Sequence, residues 1–188
     1  MIEARHLSRR YGDFLAVDGV SFAIGHGEIV GLLGHNGAGK TTIMKMLTGY
    51  LEPSDGAVAV DGTVVEDDRQ AVQEKLGYLP ENLPLYPELS VAEYLAWVAE
   101  LRGIDPAPAV RRAIEATELG GKALDPIATL SRGYKQRLGV AQAILHEPRF
   151  LILDEPTNGL DPGQTQHMRT LIRRLSEHAT VILSTHIM

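Results

Sequence analysis

The chain has 188 residues, 44% hydrophobic and 22% charged, which fits one packed globular domain and excludes a disordered, collagenous or coiled-coil chain. Its 18 basic and 24 acidic residues leave a net charge of -6, which argues against binding by blanketing a nucleic-acid backbone but allows a local phosphate site. Cysteine is absent, so disulfide scaffolds, cysteine-ligated zinc, iron–sulfur clusters and thiol catalysis are excluded.

Residues 1–10 contain no apolar run of signal-peptide length, and no later segment approaches the roughly 20 apolar residues of a membrane span, so a cytosolic location is expected. Short apolar or alternating runs predict strands at Val20 to Ile24 and Glu28 to Leu33. A helix follows Gly39, with Ile43, Met46, Leu47 and Tyr50 on one face. Strands are predicted at Ala57 to Val60 and Leu76 to Leu79. Ser90 and Glu93 form a capping box for the next helix, whose stripe of Val91, Leu95, Val98 and Leu101 ends before Gly103. Gly103 to Pro108 reads as a loop, Ala109 to Glu118 as a helix, and Ser131 to Pro148 as another. Arg149 to Leu153 is a strand. Asp161-Pro162 opens the last long helix, which should bury Met168, Leu171, Ile172 and Leu175, and a strand at Thr180 to Ser184 follows. Buried strands separated by helices indicate a parallel sheet covered on both faces. The expected architecture is α/β, with an antiparallel N-terminal β subdomain and an inserted helical subdomain. The core then comprises residues 1–84 and 147–188, and the helical part 85–146.

The strand ending at Leu33 runs into Gly34-His35-Asn36-Gly37-Ala38-Gly39-Lys40-Thr41-Thr42 and then a helix, the GxxxxGK[ST] loop in strand–loop–helix context. Its glycines let successive amides point inward. Lys40 places a cation on the terminal phosphates, and the Thr41 hydroxyl suits Mg²⁺. The second buried strand ends in Asp154-Glu155. Such a pair alone reads equally as a helix cap or solvated turn, but beside a phosphate loop Asp154 suits Mg²⁺ and Glu155 suits orienting or deprotonating an attacking water.

Leu130-Ser131-Arg132-Gly133-Tyr134-Lys135-Gln136-Arg137 resembles the LSGGQ signature of the ATP-binding subunits of ABC transporters, and the likeness spans nearly the whole chain. It implies a P-loop NTPase with a RecA-like core that binds ATP and Mg²⁺. Ser131 and Gly133 would complete the ATP site of a second subunit in a head-to-tail dimer, homomeric or heteromeric. Asn158-Gly159-Leu160-Asp161 matches the loop crossing that interface. Tyr11 matches the aromatic that stacks on adenine, and His186 the histidine at the terminal phosphate. Two departures stand out. Glu81 occupies the usual glutamine position, where a carboxylate can ligate Mg²⁺ but repels phosphate, and Arg132 and Tyr134 alter the signature while Gly133 remains.

These departures resemble the exporter-type branch that includes gliding-motility-associated and copper-processing ATPase subunits. The resemblance implies a separate integral membrane permease, met near Leu83, Leu85 and Tyr86, and a location at the inner face of the membrane. No nucleic-acid partner is expected. The alternative is a soluble ATPase of the same family acting on DNA or ribosomes, whose usual coiled-coil insertion, tandem second ATPase domain and iron–sulfur cysteines this sequence lacks. The family continues past the histidine motif with further strands and a helix, so a C-terminally truncated fold is expected.

Overall fold

A computed structural model describes residues 1–185. Strands β1 (Ile2–Tyr11) and β2 (Phe14–Ile24) pair antiparallel along their whole length. Only the end of β2 is legible as a strand from sequence, because β1 does not alternate. Ile2, Ala4 and Leu7 are its buried apolar residues, and a bulge between Ala4 and Leu7, with His6 at φ 50°, shifts the phase. In β4 (Asp55–Val60), Gly56 faces this bulge at φ 83°, where a Cβ would lie 2.3 Å from the Arg5 carbonyl oxygen. With β5 (Thr63–Val64) these strands form an antiparallel sheet of order β2-β1-β4-β5.

Strands β3 (Ile29–Leu33), β6 (Leu76–Leu79), β7 (Phe150–Leu153) and β8 (Thr180–Thr185) form a second, parallel sheet of order β3-β8-β7-β6. Phe150 and Ile152 of β7 pack into a core with Ile2, Leu7, Met44 and Leu47. Leu151 and Leu153 pack on the opposite face with Val140, Met168 and Leu171. Burial on both faces explains the uninterrupted apolar run.

Helix α1 (Lys40–Leu47) stops before Tyr50, which is exposed rather than on the buried face. Helix α2 (Arg69–Lys75), capped by Asp68, escapes sequence reading because only Val72 in its seven residues is buried. Helix α3 (Val91–Leu101) carries the expected Ser90/Glu93 capping box, but its stripe closes at Val98 and Leu101 is exposed. Helix α4 (Pro106–Ala116) begins three residues earlier than expected. Asp105 caps it by accepting from the Ala107 amide, and prolines at 106 and 108 are tolerated because first-turn amides have no intrahelical partner. Helix α5 (Arg132–Ile144) is capped by Ser131, and α6 (Pro162–Leu175) by a box of Asp161 and Gln164. Helices α3, α4 and α5 bury a core of their own, including Leu95, Val98, Ala113 and Leu138.

Past α5, the His146 Nε2–H donates to the Leu76 carbonyl at 2.9 Å, tying the helix end to β6. Burial, with the Arg102 charge nearby, lowers this imidazole to about 4. The unfolded chain takes up a proton near 6.5 that folded His146 refuses until about 4, so stability is lost as pH falls through that window. Thermal melts should show a falling midpoint across it. The fall should be smaller in His146→Gln, which keeps a donor but does not titrate.

Candidate functional site

In a parallel sheet all carboxyl ends lie along one edge, and ligands collect there. Beyond β3 comes the Gly34–Gly39 loop, beyond β7 Asp154 and Glu155, and beyond β6 Pro80 and Glu81. Gly37 and Gly39 adopt φ of 84° and 82°, and at Gly39 a Cβ would also lie 2.6 Å from the Ala16 carbonyl oxygen. The Ala38 amide donates to the His35 carbonyl at 3.1 Å, closing the turn. Helices α2 to α6 are all capped by side chains. No side chain among the described residues caps α1, so its first amides, at Lys40, Thr41 and Thr42, face the cleft with the positive end of the helix dipole.

Lys40 is 9% exposed, and its Nζ donates to the carbonyls of Gly34 at 2.7 Å and His35 at 3.1 Å. It lies 3.6 Å from Glu155 Oε1, also buried. Glu155 has φ 50°, a left-handed backbone that non-glycine residues seldom adopt and that a functional site commonly retains. Its amide donates to Ser184 Oγ at 2.8 Å, and the Ser184 hydroxyl donates to Asp154 Oδ1 at 2.6 Å. Asp154 is fully buried, and its Oδ2 has no hydrogen-bond partner among the described residues.

These groups surround a cleft of about 510 Å³ lined by Tyr11, Asn36, Gly37, Lys40, Thr41, Thr42, Glu81 and Glu155, among others. A neighbouring cavity of about 610 Å³ shares Tyr11, Thr41 and Glu81 and reaches Tyr78 and Asp154. Burial, and then the Asp154 charge, push the Tyr78 phenol up, so it remains a neutral O–H donor. Asn158 Nδ2 donates to Glu81 Oε1 at 3.4 Å. The Asp154 oxygen, the Thr41 hydroxyl and Glu81 are hard oxygen donors. So few hard donors fit a magnesium ion that takes most of its ligands from phosphate and water.

The structure thus gathers Tyr11, the loop, Glu81, Asp154 and Glu155. Gly34, His35 and Ala38 build the loop without lining the cleft. Ser131 and Gly133 lie elsewhere, around a separate hollow of about 130 Å³ with Arg137, Gln164 and His167. His186 lies outside the described residues. Phe14, paired with Tyr11 across the β1–β2 turn and 64% exposed, lines the cleft and was not singled out by sequence reading. A second aromatic three residues after Tyr11, beside Gly12, was the available signal. Of the residues proposed to meet a partner, Leu83 and Tyr86 line a groove of about 720 Å³, whereas Leu85 packs against the helical core.

A profile described as ABC transporter matches residues 17–158. The chain belongs to the ABC transporter family. It is 36% identical over 192 residues to the linearmycin resistance ATP-binding protein LnrL of Bacillus subtilis, covering 100% of this chain and 62% of that protein. It is 38% identical over 192 residues to the Nod factor export ATP-binding protein I of Burkholderia orbicola, covering 100% and 63%. The chain therefore spans about three-fifths of these curated relatives. A solved structure titled as the ATP binding subunit of an ABC transporter superposes with a TM-score of 0.86 at 33% identity, covering 100% of this chain and 80% of that one. Family membership agrees with the α/β P-loop architecture and with the resemblance carried by the signature segment.

Proposed function

We propose that this ABC transporter family chain binds and hydrolyses ATP to power transport, in the export direction, through a separate membrane subunit. The observation that carries the reading is the cleft itself, where an uncapped helix start, Lys40 and Glu155 converge. In this reading residues 1–84 and 147–188 form the nucleotide-binding core, and 85–146 the helical part.

The triphosphate lies along the amides of Gly37 to Thr42, and adenine stacks on Tyr11, whose other neighbour is the Arg9 guanidinium 4.8 Å from the ring centroid. Lys40 exchanges the Gly34 and His35 carbonyls for the terminal phosphates. That exchange draws the ammonium away from Glu155, whose carboxylate then accepts a proton from water as its oxygen attacks the terminal phosphorus and ADP leaves. Thr41, Asp154 and Glu81 would hold Mg²⁺, which supplies charge neutralisation on the phosphate oxygens.

Ser131 and Gly133 lie outside the cleft of their own chain, which supports a second ATP-binding subunit completing the site head to tail. The curated relatives are named as ATP-binding proteins of resistance and export systems, which supports a separate permease. The groove with Leu83, Tyr86 and the edge-on Trp97 ring at 5.1 Å from Tyr86 is its proposed contact, which supports a location at the inner membrane face. Purification from detergent-solubilised membranes tests this. Recovery with an integral membrane protein is the expected result, and recovery only with ribosomes or DNA would contradict it.

A further inference from the structure

We propose that Tyr78 is a positioning residue for Asp154, its hydroxyl donating through one water to the carboxylate oxygen Oδ2. The inference rests on the proposed nucleotide and metal site. Tyr78 on β6 pairs with Ile152 on β7, and Ile152 pairs with Ile182 on β8. Side chains two residues apart share a face, so Asp154, two beyond Ile152, projects on the same face as Tyr78. Ser184, two beyond Ile182, does the same from the other side. Asp154 is therefore flanked by one hydroxyl on each neighbouring strand.

Ser184 already holds Oδ1 at 2.6 Å. Oδ2 and the Tyr78 hydroxyl are both buried, neither has a partner among the described residues, and both residues line the same 610 Å³ cavity. A carboxylate only accepts and a neutral phenol donates, so the two atoms are complementary, and a bridging water needs at least two such partners. The Tyr78 ring is braced by the Tyr50 ring at 5.5 Å. A carboxylate held from two strands presents a fixed direction to a metal ion, as outer-shell partners do for metal ligands.

Tyr78→Phe keeps the ring and removes only the donor. Mn²⁺ titrated by electron paramagnetic resonance against the protein with a non-hydrolysable ATP analogue should bind about tenfold more weakly in this variant. Analogue affinity in EDTA should be unchanged, and the variant should add no further loss to Asp154→Asn. Unaltered Mn²⁺ affinity, an equal further loss on top of Asp154→Asn, or a loss abolished by Glu81→Gln instead would overturn the proposal. Failure of the unaltered protein to bind the analogue in EDTA would strike the nucleotide reading instead. A high-resolution crystal structure of the unaltered protein tests the link whether or not the variants fold. A water within hydrogen-bond distance of both atoms is expected, and a gap without one would overturn it.

Discussion

Lys40→Ala should abolish ATP hydrolysis and weaken ATP binding a hundredfold or more. Among the described residues the Lys40 ammonium is the one cation lining the cleft at the loop, and it is already desolvated at 9% exposure. A charge-assisted contact to phosphate from such a position contributes about 1.5–3 kcal/mol for each hydrogen bond, and Lys40 makes two donations to loop carbonyls that phosphate oxygens can replace. The truncation also removes a cation 3.6 Å from the buried Glu155 carboxylate, which opposes an incoming triphosphate further. Isothermal titration with Mg·ATP reads the binding loss. Circular dichroism separates it from unfolding. Retained tight binding by a folded Lys40→Ala protein would remove the phosphate-loop assignment.

Glu155→Gln should behave differently, with turnover lowered by about 10²–10⁴-fold and ATP binding retained. Glutamine matches the shape and keeps the backbone at φ 50° as strained as before, but its amide cannot take a proton from water. Binding should tighten, because a negative charge near the terminal phosphate is removed. Pre-steady-state phosphate release in the variant should lose its chemical step while nucleotide occupancy stays high. Equal rates for the two proteins would take Glu155 out of the base role.

Most of the proposed nucleotide cleft is legible because it is local in sequence. Gly34 to Thr42 and Asp154-Glu155 are contiguous runs, and their strand–loop–helix and strand-end contexts set backbone geometry without long-range information. The inner parallel strands are legible too, because two-sided burial writes continuous apolar runs such as Phe150 to Leu153, whereas β3 leaves Ile29 and Leu33 exposed. The missed features depend on tertiary contacts. The β1 bulge at His6 is accommodated by Gly56, fifty residues away, so its broken alternation has no local explanation. Helix α2 buries one residue, leaving too little pattern. Leu101 fits the stripe of α3 by spacing, yet the helical core ends one turn earlier. Phe14 enters the cleft only because the β1–β2 pairing sets it beside Tyr11. The flanking of Asp154 by Tyr78 and Ser184 likewise needs the strand order, with β7 between β6 and β8.

The proposed function requires ATP to be hydrolysed between a Lys40–Glu155 cleft and the Ser131–Gly133 segment of a second subunit. Phosphate release from Mg·ATP, measured for the unaltered protein over a range of protein concentrations beside Glu155→Gln, tests it most directly. The expected result is release that rises faster than in proportion to the concentration of the unaltered protein and nearly vanishes in the variant. Release strictly proportional to concentration from monomeric protein, or of equal rate in both proteins, would contradict it.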